Sequence, residues 1–145
     1  MNKSVKISVI IIRVALGLLL IYGGVNKFIP KPPRPQTEET KELAPHVLKI
    51  KAFIGGLKQS GYFWPFLGAA EIVCGVLLIS QILSLLGAVM SVPITLNIFL
   101  FHAFLEPHDT VELLMTGAYL TGNLLVIAYA FPKLKSVFFP IKQNK

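Results

Sequence analysis

Charged side chains inside long apolar runs are the residues of this chain whose chemistry needs explaining first. Arg13 lies about two turns inside the apolar run 7–29, and Glu71 lies near the middle of the run 62–79. A charge in hydrocarbon is costly, so such groups pair with one another or mark ion, proton or ligand sites. The opposite charges of Arg13 and Glu71 therefore predict a buried ion pair.

Glycines at helical spacing support this pairing. On the first run, one helical face carries Arg13, Gly17, Leu20, Gly24 and Lys27. On the second, one face carries Gly68, Glu71, Gly75 and Leu78. Small residues let two helices approach closely inside a membrane. The two stripes are therefore predicted to face each other.

Other polar side chains in the apolar runs are candidates for lining a ligand or partner pocket. These candidates are Asn97, His102, Lys27 and Asn123. His102 and Glu106 are four residues apart, which predicts a contact along one helix. We expect a pocket lined by Glu71, Asn97 and residues of the first helix, with His102 near its mouth.

Each candidate also has a purely structural interpretation. An Arg13–Glu71 pair can fix helix register and topology without binding anything, and His102 can simply bond Glu106 or the following loop. Cys74, the single cysteine, lies in an apolar run and is interpreted as a small buried residue. Because the sequence has no His/Cys cluster, we expect no metal site.

The composition indicates a membrane protein. The chain has 145 residues, of which 54% are hydrophobic and 14% charged, and its mean hydropathy is +0.68. The apolar residues form runs close to the ~20 residues that cross a bilayer as a helix. Only helices and closed barrels satisfy the backbone in lipid, and continuous rather than alternating apolar runs favour helices.

These runs predict an all-α, integral membrane four-helix bundle in a single domain, 1–145. Its membrane helices are expected at about 7–29, 62–79, 83–105 and 111–131, with a kink at Pro93. The first run is too long for a signal peptide and lacks a small-residue cleavage site. Apolar residues spaced by four and three predict a short amphipathic helix at about 43–57, either flat on the membrane surface or capping the bundle mouth.

The positive charge is interpreted as a topology signal. The formal net charge is +7, but the basic residues flank apolar runs and form no nucleic-acid patch. Four crossings place both termini on one side. Short basic segments near the helix ends favour the cytoplasmic side of the inner membrane, and the basic tail 133–145 is expected on an anionic leaflet.

Three segments carry these residues in a distinctive order and spacing: RVALGLLLIYGGVNKF at 13–28, GYFWPFLGAAEIVCGVLLI at 61–79 and PITLNIFLFHAFL at 93–105. They resemble the DoxX family of small four-helix membrane proteins, particularly the branch common in Bacteroidetes. The resemblance implies a link to thiosulfate oxidation, quinone, and sulfur or oxidative-stress chemistry, carried out with partner subunits. Distant eukaryotic relatives act as cargo receptors or receptor-assembly chaperones, so the fold alone does not assign a function.

Two functions are compatible with these features. In the first, the protein is a non-autonomous membrane component of a quinone-linked redox system, with a bound quinone or lipid and Glu71 or His102 handling protons. In the second, it is a non-catalytic assembly factor or accessory subunit that binds a partner's transmembrane segment. Either function implies a lipid bilayer and a membrane-protein partner or a second copy of the chain.

Overall fold

The computed structural model describes residues 3–30, 44–132 and 135. Within them the chain forms five helices and no strand: α1 (Lys3–Asn26), α2 (Pro45–Gln59), α3 (Phe63–Ile79), α4 (Ser84–Leu105) and α5 (Thr110–Tyr129). This confirms the all-α prediction. The predicted start of the amphipathic helix at residue 43 and the basic tail 133–145, apart from residue 135, lie outside the described residues.

Three of these helices, α1, α4 and α5, are long and apolar enough to cross a membrane. The fourth candidate is the pair α2 and α3, which is bent by 88° between its two helices. With 17 residues, α3 is at the lower end of the length that spans hydrocarbon. The result is a multi-pass helical membrane bundle, with α2 set nearly perpendicular to α3.

Local chemistry explains the sharp corner between α2 and α3. Gly61 adopts a φ of 76°, a left-handed conformation that side chains rarely allow. The Ser60 hydroxyl donates to the Leu57 carbonyl at 2.7 Å and accepts from the Phe63 backbone N–H at 3.0 Å. These bonds satisfy groups left free where one helix ends and the next begins.

The amphipathic helix lies where it was expected, displaced by two residues. Its apolar stripe at Val47, Ile50, Ile54 and Leu57 is half-buried, while most other residues of α2 are exposed. The stripe contacts both α3 and α4. The helix α2 therefore lies across the direction of α3 and packs on both α3 and α4.

The four membrane helices form a ring in which α1 contacts α3, α3 contacts α4, α4 contacts α5 and α5 returns to α1. Their predicted bounds differ from the structure by at most two residues, except in α1. That helix begins at Lys3 and ends at Asn26, because the basic residues before the apolar run continue the helix and Lys27 already belongs to a turn. Apolar residues from all four helices form the core: Leu16, Leu20, Cys74, Leu78, Ala88 and Val126.

Glycines set a close backbone contact in the ring, which joins α1 to α3. A Cβ atom added to Gly75 would lie 2.5 Å from the Gly17 carbonyl oxygen, and one added to Gly24 would lie 2.5 Å from the Gly68 carbonyl oxygen. The two pairs show that α1 and α3 run antiparallel in one register. The predicted glycine stripes therefore do face each other.

Replacing Gly75 by alanine should separate α1 from α3. Since the new methyl group would overlap the Gly17 carbonyl, we expect the free energy of unfolding to fall by about 1–3 kcal/mol. Thermal unfolding of the purified protein in mild detergent measures this loss. Gly55→Ala is the matched control, because nothing lies within 4 Å of its added Cβ; equal destabilisation of the two variants would contradict the close contact.

Candidate functional site

A buried ion pair joins α3 to the end of α1. Lys27 Nζ lies 2.6 Å from Glu71 Oε2, with the two side chains 15% and 4% exposed. Lys27 Nζ also donates to the Gly23 carbonyl oxygen at 3.3 Å. A carboxylate paired with an ammonium group inside the bundle can hold register, exchange a proton or receive a polar ligand.

Three glycines make room for this pair. A Cβ on Gly23 would lie 3.6 Å from Glu71 Oε2, and one on Gly68 would lie 3.1 Å from the Lys27 Cβ. Gly24, next to Gly23, is in backbone contact with Gly68. The motif that brings the helices together therefore also seats the charges.

Trp64 lies at the outer end of the pair, in the first turn of α3. Lys27 Nζ is 5.4 Å from the centre of its ring, and Lys58 Nζ of α2 is 5.0 Å from it. Both distances suit attraction between a cation and the electron-rich face of an indole. The indole thus connects α2 to the ion pair.

The predicted Arg13–Glu71 ion pair is wrong, because Lys27 takes the place of Arg13. Among the described residues no ion pair involves Arg13, and its buried Nε atom has no hydrogen-bond partner. Side chains lean toward the N-terminus of their own helix. On the antiparallel helices Lys27 and Glu71 consequently lean toward each other, whereas Arg13 leans away.

Contrary to the prediction, Asn97 does not line an internal pocket with Glu71. Its side chain is exposed on the outer face of α4, and no hydrogen bond joins it to any described residue. The inward face of this helix carries Ser91 and Thr95, which are buried. Their hydroxyl groups donate hydrogen bonds to carbonyl oxygens one turn back along α4. Because serine and threonine can satisfy themselves in this way inside a helix, they did not stand out in a sequence search for amides and charges.

Asn123 is fully buried and joins α5 to α4. Its Nδ2 donates to the Ala88 carbonyl oxygen at 3.2 Å and contacts Thr95 Oγ1 at 3.4 Å. Its Oδ1 atom is also buried, without a partner among the described residues. This geometry gives Asn123 a structural role between helices rather than a place in an open pocket.

His102 and Glu106 meet at the loop end of α4, as their spacing predicted. His102 Nδ1 lies 2.8 Å from Glu106 Oε2, although the contact lacks the alignment of a hydrogen bond. Glu106 also borders an open cleft of about 750 Å³ between α2 and the α4–α5 connection, where the rings of His46 and His108 lie 5.9 Å apart. Within the described ranges, no three His, Cys, Asp or Glu side chains converge closely enough to hold a metal ion.

A smaller crevice of about 120 Å³ lies between α1, α4 and α5. Its lining is Leu16, Leu19, Leu20, Thr95, Ile98 and Tyr119. No described residue forms a hydrogen bond with the Tyr119 hydroxyl group. The sequence pattern did not indicate this site because four of its six lining residues are aliphatic, and such residues are expected throughout a membrane helix.

Comparison with known proteins identifies a family. A family model described as DoxX matches residues 8–103, which run from α1 almost to the end of α4. No curated protein and no solved structure matches the chain.

A double-mutant cycle should identify the partner of Glu71. Glu71→Gln alone should lower the free energy of unfolding by about 3–5 kcal/mol, because it leaves a buried ammonium group unpaired. Combined with Lys27→Met the losses should be clearly less than additive, whereas with Arg13→Met they should add. The free energy of unfolding in detergent is measured for the three single and two double variants. Coupling of Glu71 to Arg13 instead of Lys27 would contradict the observed pair.

Proposed function

Because the chain belongs to the DoxX family, we propose that this membrane protein is an accessory component of a quinone-linked redox system in the inner membrane. The family match supports this assignment through the family's link to quinone and sulfur chemistry. The crevice between α1, α4 and α5 is the observation that carries the proposal. Electron-carrying groups are assigned to a partner protein, since one cysteine cannot form an intramolecular dithiol.

The crevice suits a single ring held among aliphatic side chains. Its volume is about 120 Å³, comparable with the roughly 150 Å³ cavity that admits benzene in another protein. Leucine and isoleucine side chains would contact the ring faces. The Tyr119 hydroxyl, which has no partner among the described residues, would donate a hydrogen bond to a quinone carbonyl oxygen.

The Lys27–Glu71 pair supplies a proton-exchanging group at a matching depth. The shared register of the glycine contacts places Glu71 level with Leu20 and Ile21 of α1, and Leu20 lines the crevice. Reduction of a quinone by two electrons also takes up two protons. In this proposal Glu71 exchanges protons with the loop side, which is the end of the bundle that carries the α1–α2 and α4–α5 connections. Lys27 is partly exposed there.

We assign the loop side to the exterior of the inner membrane, with both termini in the cytoplasm. This orientation follows from short basic segments at the ends of the membrane helices. The Lys27–Glu71 pair, His102 and the open cleft then face away from the cytoplasm. A redox partner supplying electrons from sulfur compounds would dock on that side.

Occupancy of the crevice predicts how much quinone remains with the purified protein. Protein extracted in mild detergent should retain quinone, and Leu19→Trp should remove most of it by filling the crevice. Leu18→Trp is the matched control, because Leu18 is 57% exposed and does not line the crevice. Tyr119→Phe should weaken retention about tenfold through loss of one hydrogen bond.

Solvent extraction and chromatography of each preparation measure quinone per chain. Equal quinone content in Leu18→Trp and Leu19→Trp would contradict binding in the crevice. Wild-type protein that carries no quinone but a stoichiometric membrane protein would favour an assembly factor.

Fusion reporters should reveal the orientation. An enzyme that is active only outside the cytoplasm should be active when fused after Lys41, between α1 and α2, and inactive when fused after Lys145. The physical reason is the positive charge flanking the terminal helix ends. Activity only at the C-terminal fusion would reverse the orientation.

A further inference from the structure

The outer face of α4 presents an unpartnered amide deep in the membrane. Asn97 is thirteen residues from Ser84 and eight from Leu105, which is ~20 Å and ~12 Å along the helix axis. Its side chain is exposed and bonds to no described residue. Lipid chains offer an amide no hydrogen bond, so facing lipid alone would leave its donors and acceptor unsatisfied.

The residues around Asn97 form a regular seam. Spacings of four, three, four, three and four join the exposed residues Leu86, Met90, Pro93, Asn97, Leu100 and Phe104. An alternation of four and three residues is the heptad spacing at which two helices can pack in a left-handed pair. Asn97 is the one residue of the seam whose side chain can form hydrogen bonds.

We infer that this seam joins two copies of the chain, with α4 of each copy packed in parallel about a twofold axis normal to the membrane. Copies inserted with one orientation can be related by such an axis, which keeps equivalent residues at equal depth. Asn97 therefore meets Asn97 of the second copy. A carboxamide carries both a donor and an acceptor, so two of them can exchange hydrogen bonds, which a lysine or glutamate facing itself cannot do.

The apolar positions of the seam match themselves in the same arrangement. Leucine meets leucine, methionine meets methionine and phenylalanine meets phenylalanine, so no polar group faces an apolar one. Interhelical hydrogen bonds from asparagine stabilise association in membranes, and one polar residue in such a seam fixes its register. The ring of four helices leaves this face free, because the inward residues of α4 already contact α3 and α5.

Association should be measured on the full chain in phosphatidylcholine–phosphatidylglycerol vesicles. Donor and acceptor dyes on separate copies report dimerisation by energy transfer as the lipid-to-protein ratio increases. Wild-type protein is expected to form dimers, and Asn97→Leu to dimerise about tenfold more weakly. Moving the amide along the seam, in Asn97→Leu/Leu100→Asn, should restore association.

Oxidative crosslinking identifies the face independently of Asn97. Cysteine introduced at Phe104, which is 77% exposed on the seam, should link two copies. Cysteine introduced at Met115, 43% exposed on α5, is the matched control and should not link them. Native Cys74 is buried and does not interfere.

Three results would overturn the inference: a wild-type monomer at every lipid ratio, unchanged association of Asn97→Leu, or crosslinking through Met115→Cys but not Phe104→Cys. The crosslinks in chains that retain Asn97 decide the case even if Asn97→Leu lowers the yield of folded protein. Since none of these measurements involves quinone, failure of the dimer would leave the proposed redox role unaffected.

Discussion

The close backbone contact between α1 and α3 is the constraint on which the remaining structure depends. Between apolar helices in lipid no hydrophobic force drives association, so stability comes from close packing and polar contacts. Gly17 against Gly75 and Gly24 against Gly68 allow both. At this separation Lys27 lies 2.6 Å from Glu71, whose side chain is 4% exposed.

Polar groups elsewhere in the bundle are also bonded mainly to other groups of the fold. Ser91 and Thr95 bond within α4, and Asn123 reaches from α5 to that helix. The hydroxyl and amide groups of the interior are therefore largely used within the fold, which leaves few groups to bind anything else. Asn123 Oδ1 and the Tyr119 hydroxyl group in the crevice are exceptions among the described residues. On the outer face, the amide of Asn97 is also available for binding.

The helices and their contact faces could be predicted from the sequence because hydrophobic length and helical period are local properties. The glycine stripes gave the correct pair of helices and placed Glu71 inside. Choosing between Arg13 and Lys27 required the direction in which each side chain leans. Counting residues from the membrane surface ignores that direction and therefore predicts Arg13 as the partner, although its side chain points away.

The position of Asn97 could not be predicted from the sequence for a different reason. Because polar residues of membrane helices usually face the bundle interior, the sequence predicts an inward position for this amide. Yet Thr95, two residues earlier, lies on nearly the opposite side of α4 and is the buried residue. Only the packing of all four helices decides which of two such faces is interior, and that information is not local. The crevice was unpredictable for the same reason, because it arises where helices separate rather than from any residue pattern.

The corner where α2 meets α3 has a practical consequence. Trp64 is the single tryptophan of the chain, and its ring lies beside both Lys27 and Lys58. Indole emission shifts in colour and intensity with nearby charge and hydration. The protein therefore contains an intrinsic fluorophore where α2 meets the ion pair, and the fluorescence of unlabelled protein reports displacement of α2 or loss of the Lys27 charge.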